Sequence, residues 1–382
     1  MPPPGGGGPA HRHDPTVIRC LAALLASTLA AAEPSLHGLF RDRFAIGMAL
    51  SAADIRDPAA VALAARHIGI ATAENALKMA PVQPREGVFA FADGDAFVDL
   101  CRERGWRAVG HALVWHQQAP EWIFRGPDGA AAGRDLLLAR MRAHIAVVAG
   151  RYAGRIEAWD VVNEALADGD GAEDLRDSPW SRACGPDFIV EAFRAAAAAD
   201  PGARLFYNDY NIESEPKRSR AVRLVRRLRA AGVRIDGIGI QGHWGLEWPP
   251  VAHIDEAVRA FAAEGLEVHI SELDIGVIPQ RAAGADLDAR AATGADPWRD
   301  GLPAAVAEAQ ARRYGEIFRC LVANADRIGH VTFWNVYDGR SWLNDWPVRG
   351  RTDHPLLFDR ALAPKPAFWA VVAAAGGREE GP

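Results

Sequence analysis

Cysteine is scarce in this 382-residue chain, and the four present, Cys20, Cys101, Cys184 and Cys320, form neither a CxxC pair nor a Cys/His spacing. That argues against a structural zinc site and against a disulfide-dense scaffold. With Cys20 in a segment that reads as removable, at most one disulfide is expected. HExxH, an EF-hand loop, a P-loop, a GxGxxG turn after a strand and the GxSxG elbow are all missing, so no metal and no cofactor is expected. An excess of positive charge is lacking too. Forty-three Lys and Arg stand against 49 Asp and Glu, a net charge of −6, which gives no electrostatic reason to expect a nucleic acid or an anionic membrane as partner. The apolar stretch from Cys20 to Ala32 is too short to span a bilayer. A neutral or uncharged-polymer substrate fits this balance better, and the chain is expected to act as a monomer.

What is present is ordinary globular material, 49% hydrophobic and 24% charged, enough for one large α/β barrel or two smaller domains. Residues 1–32 differ. Positions 2–9 hold only Pro and Gly, and His11, Arg12 and His13 precede the apolar stretch, which ends in three alanines before Glu33. This reads as a secretory signal peptide cleaved near Ala32, with a secreted or periplasmic mature protein; the alternative is a disordered tail with a short helix capping the barrel bottom. From about residue 40, β-branched or aromatic runs alternate with amphipathic Ala/Arg/Glu-rich stretches. The pattern predicts strands over 44–50, 68–73, 106–114, 156–162, 203–208, 237–241, 267–271 and 330–334. Helices are predicted over 58–66, 94–104, 135–151, 187–199, 216–231, 253–264, 304–323 and 366–374. Eight strands each followed by a helix make a (β/α)8 TIM barrel. It forms a single catalytic domain over 33–376, with 377–382 a tail. The Ala/Gly/Asp-rich segment 281–301 reads as a long loop over the active face rather than a linker.

In this fold the C-terminal strand ends carry the chemistry, and here those ends are polar. Two apolar runs stop at a glutamate, Trp159-Asp160-Val161-Val162-Asn163-Glu164 and Val268-His269-Ile270-Ser271-Glu272-Leu273-Asp274. Opposed carboxylates at a barrel mouth are what acid/base glycoside hydrolysis requires. Glu164 and Glu272 are therefore the candidate pair. His269, Asp274 and His243 lie near Glu272, and a histidine that donates to a carboxylate keeps it ionised and nucleophilic. Asn163 beside Glu164 suits a sugar 2-hydroxyl. Further candidates follow the other strands: Glu74, Asn75 and Lys78, with Lys78 expected on one helical face with Glu74 or Asn75; His111, Trp115 and Gln118, lining the cleft while Leu113 packs inward; Asn208 with Asp209; Gln241. Trp334 and Trp342 form either an aromatic lid or part of the core. Of the twelve tryptophans, Trp115, Trp122, Trp244, Trp248, Trp334, Trp342 and Trp346 cluster near these motifs, which favours a carbohydrate cleft whose aromatic faces stack on sugar rings.

With these residues in place, the chain from about 36 to 372 closely resembles the endo-β-1,4-xylanases of glycoside hydrolase family ten. The carrying blocks are Thr72-Ala73-Glu74-Asn75-Ala76-Leu77-Lys78, His111-Ala112-Leu113-Val114-Trp115-His116, Trp159 through Glu164, Tyr207-Asn208-Asp209-Tyr210-Asn211, Gly239-Ile240-Gln241-Gly242-His243-Trp244, Ser271-Glu272-Leu273-Asp274 and Asp338-Gly339-Arg340-Ser341-Trp342. The resemblance implies a retaining mechanism on xylan or xylo-oligosaccharides, with Glu164 as acid/base, Glu272 as nucleophile, and Asn163 and His243 assisting. It also implies that Glu74, Asn75, Lys78, His111, Trp115, Gln118, Gln241, Trp334 and Trp342 form the subsites. Ser271 stands where threonine is usual and Met79 where tryptophan is frequent; neither removes a catalytic group. The competing readings are the same chemistry on cellulose or aryl cellobiosides, and a non-catalytic glycan-binding barrel.

Overall fold

Helix-start and helix-stop chemistry delimits the elements. Asp57 accepts from the Ala59 amide ahead of Pro58 at the first helical turn, a position where proline sacrifices no hydrogen bond. Gly105 ends the second long helix with φ +68°, the left-handed cap that a Cβ would disfavour. The computed structural model describes residues 1–2, 33–278, 296–346 and 348–376. Residues 3–32 of the proposed signal segment, the tail and most of the 281–301 loop lie outside these residues.

Strands β1 (Ala45–Leu50), β2 (Ile70–Ala73), β3 (Arg107–Gly110), β4 (Ala158–Asn163), β5 (Arg204–Asp209), β6 (Gly237–Ile240), β7 (Glu267–Gly276) and β8 (Ile328–Phe333) pair in parallel, each with the next in sequence. Closure comes from β8 against β1, with Ala45 opposite His330 and Met48 opposite Phe333. The outer ring is α1 (Pro58–His67), α2 (Ala92–Arg104), α3 (Arg134–Arg151), α4 (Asp187–Ala199), α5 (Lys217–Ala230), α6 (Val251–Ala263), α7 (Ala304–Ala323) and α8 (Pro366–Ala374). The expected (β/α)8 barrel is thus the architecture observed. On α4 the buried Phe188, Ile189, Ala192, Phe193 and Ala196 recur every three or four residues, so one stripe faces the barrel. Burying a side chain such as Phe193 contributes roughly 1.5–3 kcal/mol.

Most strand boundaries fall within two residues of the sequence reading, and two strand ends differ by more. The third strand ends at Gly110, because Leu113 and Val114 turn to hydrogen-bond the carbonyls of Asp160 and Val161 beside β4. The seventh runs on to Gly276, because its second half pairs with a short segment, His243–Gly245, on the loop after β6. That pairing places His243 opposite Asp274.

Cys101 and Cys184 are buried free thiols, and Cys320 is a half-buried one. Among the described residues no helix is long and apolar enough to cross a membrane.

The barrel also buries neutral histidine. His144 on α3 lies 2.8 Å from Gln83 Oε1, and burial pulls its pKa down to about 3. The folded state resists the proton that an unfolded histidine accepts near pH 6.5. The stability His144 contributes is therefore fully present above pH 6.5 and is lost as pH falls toward 3. His144→Leu leaves Gln83 unpaired and should destabilise the protein by about 1–3 kcal/mol at pH 7.5. In paired thermal melts, that gap to wild type narrows toward pH 4.5; a constant gap would contradict the account.

Candidate active site

The strand ends converge on a cleft of about 520 Å³, a size usual for a ligand site. Its lining includes Glu74, Asn75, Lys78, His111, Trp115, Gln118, Asn163, Glu164, Gln241, His243, Glu272, Trp334 and Trp342. Of the residues the sequence nominated, Asn208, Asp209, His269 and Asp274 are not part of this lining; the others face this one space.

Glu272, 4% exposed, is surrounded by donors. Asn208 Nδ2 donates to its Oε1 at 2.6 Å, and His243 Nε2 lies 3.1 Å from its Oε2. Burial alone would raise its pKa, but His111, His243 and Lys78 outweigh that and hold the carboxyl below the usual glutamate range. His243 is fixed from behind by Asp274, 2.9 Å from Nδ1. Burial would depress the imidazole, yet Asp274 and Glu272 prevail and lift its pKa to about 9, so it stays cationic through neutral pH. Trp342 donates its indole N–H to the same Asp274 oxygen at 2.8 Å. Asn208 therefore acts from beneath the site. It reaches Glu272 because Gly239 on β6 has no Cβ, which would overlap Asn208 Oδ1.

The environment of Glu164 is different. Trp115 Nε1 donates to Oε2 at 2.9 Å and Gln241 Nε2 to Oε1 at 2.9 Å, with Asn163 Nδ2 at 3.2 Å from Oε1. No imidazole hydrogen-bonds it among the described residues, in contrast to Glu272. Asn163 Oδ1 meanwhile accepts from Asn208 at 2.9 Å and Gln241 at 3.3 Å, which fixes its amide orientation. Glu164 itself has φ +55°, and Gln118 and Asn335 beside the cleft are also left-handed, at +43° and +97°. Such residues cost on the order of 1–3 kcal/mol each and persist where the surroundings over-determine them.

Several expectations need correction. Residues 74–78 form turns, and the helix begins only at Met79. Lys78 meets Asn75 by a direct 3.1 Å hydrogen bond and lies 4.8 Å over the Trp115 ring. Burial lowers the Lys78 pKa and raises that of Glu74. His269, expected near the nucleophile, points the other way to Glu267 at 2.7 Å, as strand alternation dictates. Trp334 is 4% exposed and stands edge-on to His111 at 5.2 Å. It is a wall of the cleft and part of the core at once, so the two alternatives were not exclusive. His111 in turn contacts Asp160 at 2.8 Å. Asp168, Arg176 and Tyr210 also line the cleft and were not foreseen, because Asp168 and Arg176 lie in a Gly/Asp-rich loop that reads as solvated surface.

His243 carries a prediction. Removing its charge with His243→Gln lets the Glu272 pKa rise, so the acid limb of kcat/KM against pH moves to higher pH, with a loss of roughly 10²-fold at the optimum. An unmoved acid limb would separate His243 from the ionisation of Glu272.

The comparisons with known proteins follow this geometry. The chain is 42% identical over 340 residues to an endo-1,4-beta-xylanase of Geobacillus stearothermophilus, covering 89% of this chain and 98% of that protein. It is 41% identical over 339 residues to a beta-1,4-xylanase of Dictyoglomus thermophilum, covering 89% and 90%. Among solved structures, a GH10 endoxylanase from a sugarcane soil metagenome superimposes with a TM-score of 0.83 at 40% identity, covering 89% of this chain and 99% of that one. The sequence profile of Glycosyl hydrolase family 10 matches residues 35–374, and with the barrel and its paired carboxylates on that span, the chain belongs to glycosyl hydrolase family 10.

Proposed function

We propose that this protein is an endo-1,4-β-xylanase that hydrolyses internal bonds of xylan with retention of configuration. The observation that carries the reading is the asymmetry of the two glutamates. Glu272 is kept ionised by a cationic histidine and a lysine in a buried site, as a nucleophile needs. Glu164 has no imidazole hydrogen-bonded to it among the described residues and accepts from the neutral N–H groups of Trp115, Gln241 and Asn163, which leaves it the acid/base role opposite that nucleophile.

In the first step the Glu272 carboxylate attacks the anomeric carbon. The glycosidic C–O bond breaks, and Glu164 gives its proton to the departing oxygen. In the second step water attacks the same carbon, Glu164 takes the proton of that water, and the bond to Glu272 breaks. Asn163 is assigned to the 2-hydroxyl of the reacting sugar. Glu74, Asn75, Lys78, Gln118, Trp334 and Trp342 are assigned to its neighbours along the chain, where indole faces pack on pyranose C–H surfaces. A polymeric substrate that stays outside cells supports reading residues 1–32 as an export signal, and the N-terminal sequence of the mature protein tests it.

The experiment for the reaction is NMR of the first products from xylo-oligosaccharides, run alongside reducing-sugar release from glucuronoxylan and carboxymethyl-cellulose. The β-anomer appears first, and activity is confined to xylan. Initial α-anomer would refute retention. Turnover of carboxymethyl-cellulose at a similar rate would widen the substrate to β-1,4-glycans in general, since a hydroxymethyl difference is worth only ~1–3 kcal/mol.

A further inference from the structure

The left-handed backbone at Glu164 is held by groups that the reaction scheme does not use. The Glu164 N–H donates to the Asn208 carbonyl at 2.9 Å, and Arg176 Nε donates to the Glu164 carbonyl at 3.1 Å. The next two amides, of Ala165 and Leu166, both donate to the Tyr207 hydroxyl, at 2.9 and 3.1 Å. Tyr207 donates its own O–H to Asp209 Oδ2 at 2.5 Å. One phenol thus uses both of its lone pairs and its hydrogen, its full capacity. The other Asp209 oxygen accepts from Lys217 Nζ at 2.8 Å and from the Tyr210 amide at 2.9 Å. Lys217 also binds Asp168 at 2.8 Å, and Arg176 and the Tyr210 hydroxyl close on the far oxygen of Asp168 at 2.7 and 2.6 Å.

Tyr207 and Asp209 are wholly buried and Lys217 is 3% exposed, and none of the three lines the cleft. Burying an acid and an ammonium together is unfavourable unless they are paired and fully hydrogen-bonded, and here they are. Burial pushes the Asp209 carboxyl up to about 6 against the pull of Lys217. Strand β5 therefore serves both carboxylates by alternation. Asn208 reaches Glu272 from one face of the strand, and Tyr207 and Asp209 hold the turn that follows Glu164 from the other.

We propose that Tyr207, Asp209 and Lys217 are positioning residues for general acid catalysis, fixing the turn after β4 so that the Glu164 carboxyl meets the glycosidic oxygen. This rests on Glu164 being the acid/base. The signature of such a role is selectivity by leaving group, because a good leaving group departs without a proton and a poor one does not.

The test compares kcat/KM for phenyl β-xylobioside and 2,4-dinitrophenyl β-xylobioside in wild type, Tyr207→Phe and Glu164→Ala, with melting temperatures recorded for each. For Tyr207→Phe, the phenyl substrate should lose on the order of 10- to 100-fold, as a misplaced catalytic group does, while the dinitrophenyl substrate stays within about threefold. Should Tyr207→Phe not fold, Asp209→Asn, which keeps the shape and removes the charge, is expected to show the same selectivity. Equal losses on both substrates would reduce the network to a structural role and overturn the proposal, as would no loss on either. If Glu164→Ala itself shows no leaving-group selectivity, the assignment of Glu164 fails and the proposal falls with it, a result distinguishable from failure of the network alone.

Discussion

Glu272→Gln will reduce reducing-sugar release from glucuronoxylan by on the order of 10⁴- to 10⁶-fold, the range seen when members of a nucleophilic constellation are removed. Glutamine matches the shape of glutamate and can still accept from Asn208, now 2.6 Å from Glu272 Oε1, so the cleft keeps its form. It has no charge with which to attack the anomeric carbon. The effect belongs in kcat, with retention of the inactive protein on xylan in affinity electrophoresis little changed. A barrel that only binds glycan has no turnover to lose, so wild-type turnover abolished in the variant separates the two readings. A loss of tenfold or less would mean that Glu272 is not the nucleophile.

Glu164→Ala should lower kcat/KM on xylan by roughly 10²- to 10⁴-fold, the usual contribution of a positioned acid or base. The loss should nearly vanish for dinitrophenyl β-xylobioside in kcat/KM, which reports only the step that forms the glycosyl-enzyme. With that substrate kcat still falls, because Glu164 must also deprotonate the attacking water. The pair of measurements therefore reads the two tasks of one carboxyl group separately. Equal losses in kcat/KM for phenyl and dinitrophenyl substrates would place the acid elsewhere.

The barrel was legible because its signals are periodic. Predicted 58–66 and 304–323 correspond to helices Pro58–His67 and Ala304–Ala323, where the apolar stripe and a proline at either the first turn or the cap coincide. Glu164 and Glu272 were legible because each ends an apolar run, and such an end must lie at the barrel mouth. What failed to show was the side-chain geometry around them. His269 is three residues from Glu272 in sequence, an odd spacing that on β7 turns it to the opposite face, against Glu267. Lys78 and Asn75 meet through a turn rather than on a helix, although the spacing allows both. Asp168 and Arg176 looked like solvated loop residues, and their place in the cleft depends on the 2.7 Å contact between them and on Lys217 from α5. Tyr207, at an inconspicuous position in β5, binds two amides of the following turn, a long-range pairing that no local pattern announces.

The most direct measurement is mass spectrometry of the protein after incubation with an activated 2-deoxy-2-fluoro β-xylobioside, in which the fluorine slows the second step and leaves the sugar on the nucleophile. The account predicts stoichiometric inactivation and one labelled peptide, with the fluoroxylobiosyl group on Glu272. A label on Glu164, or inactivation without a covalent adduct, would contradict it.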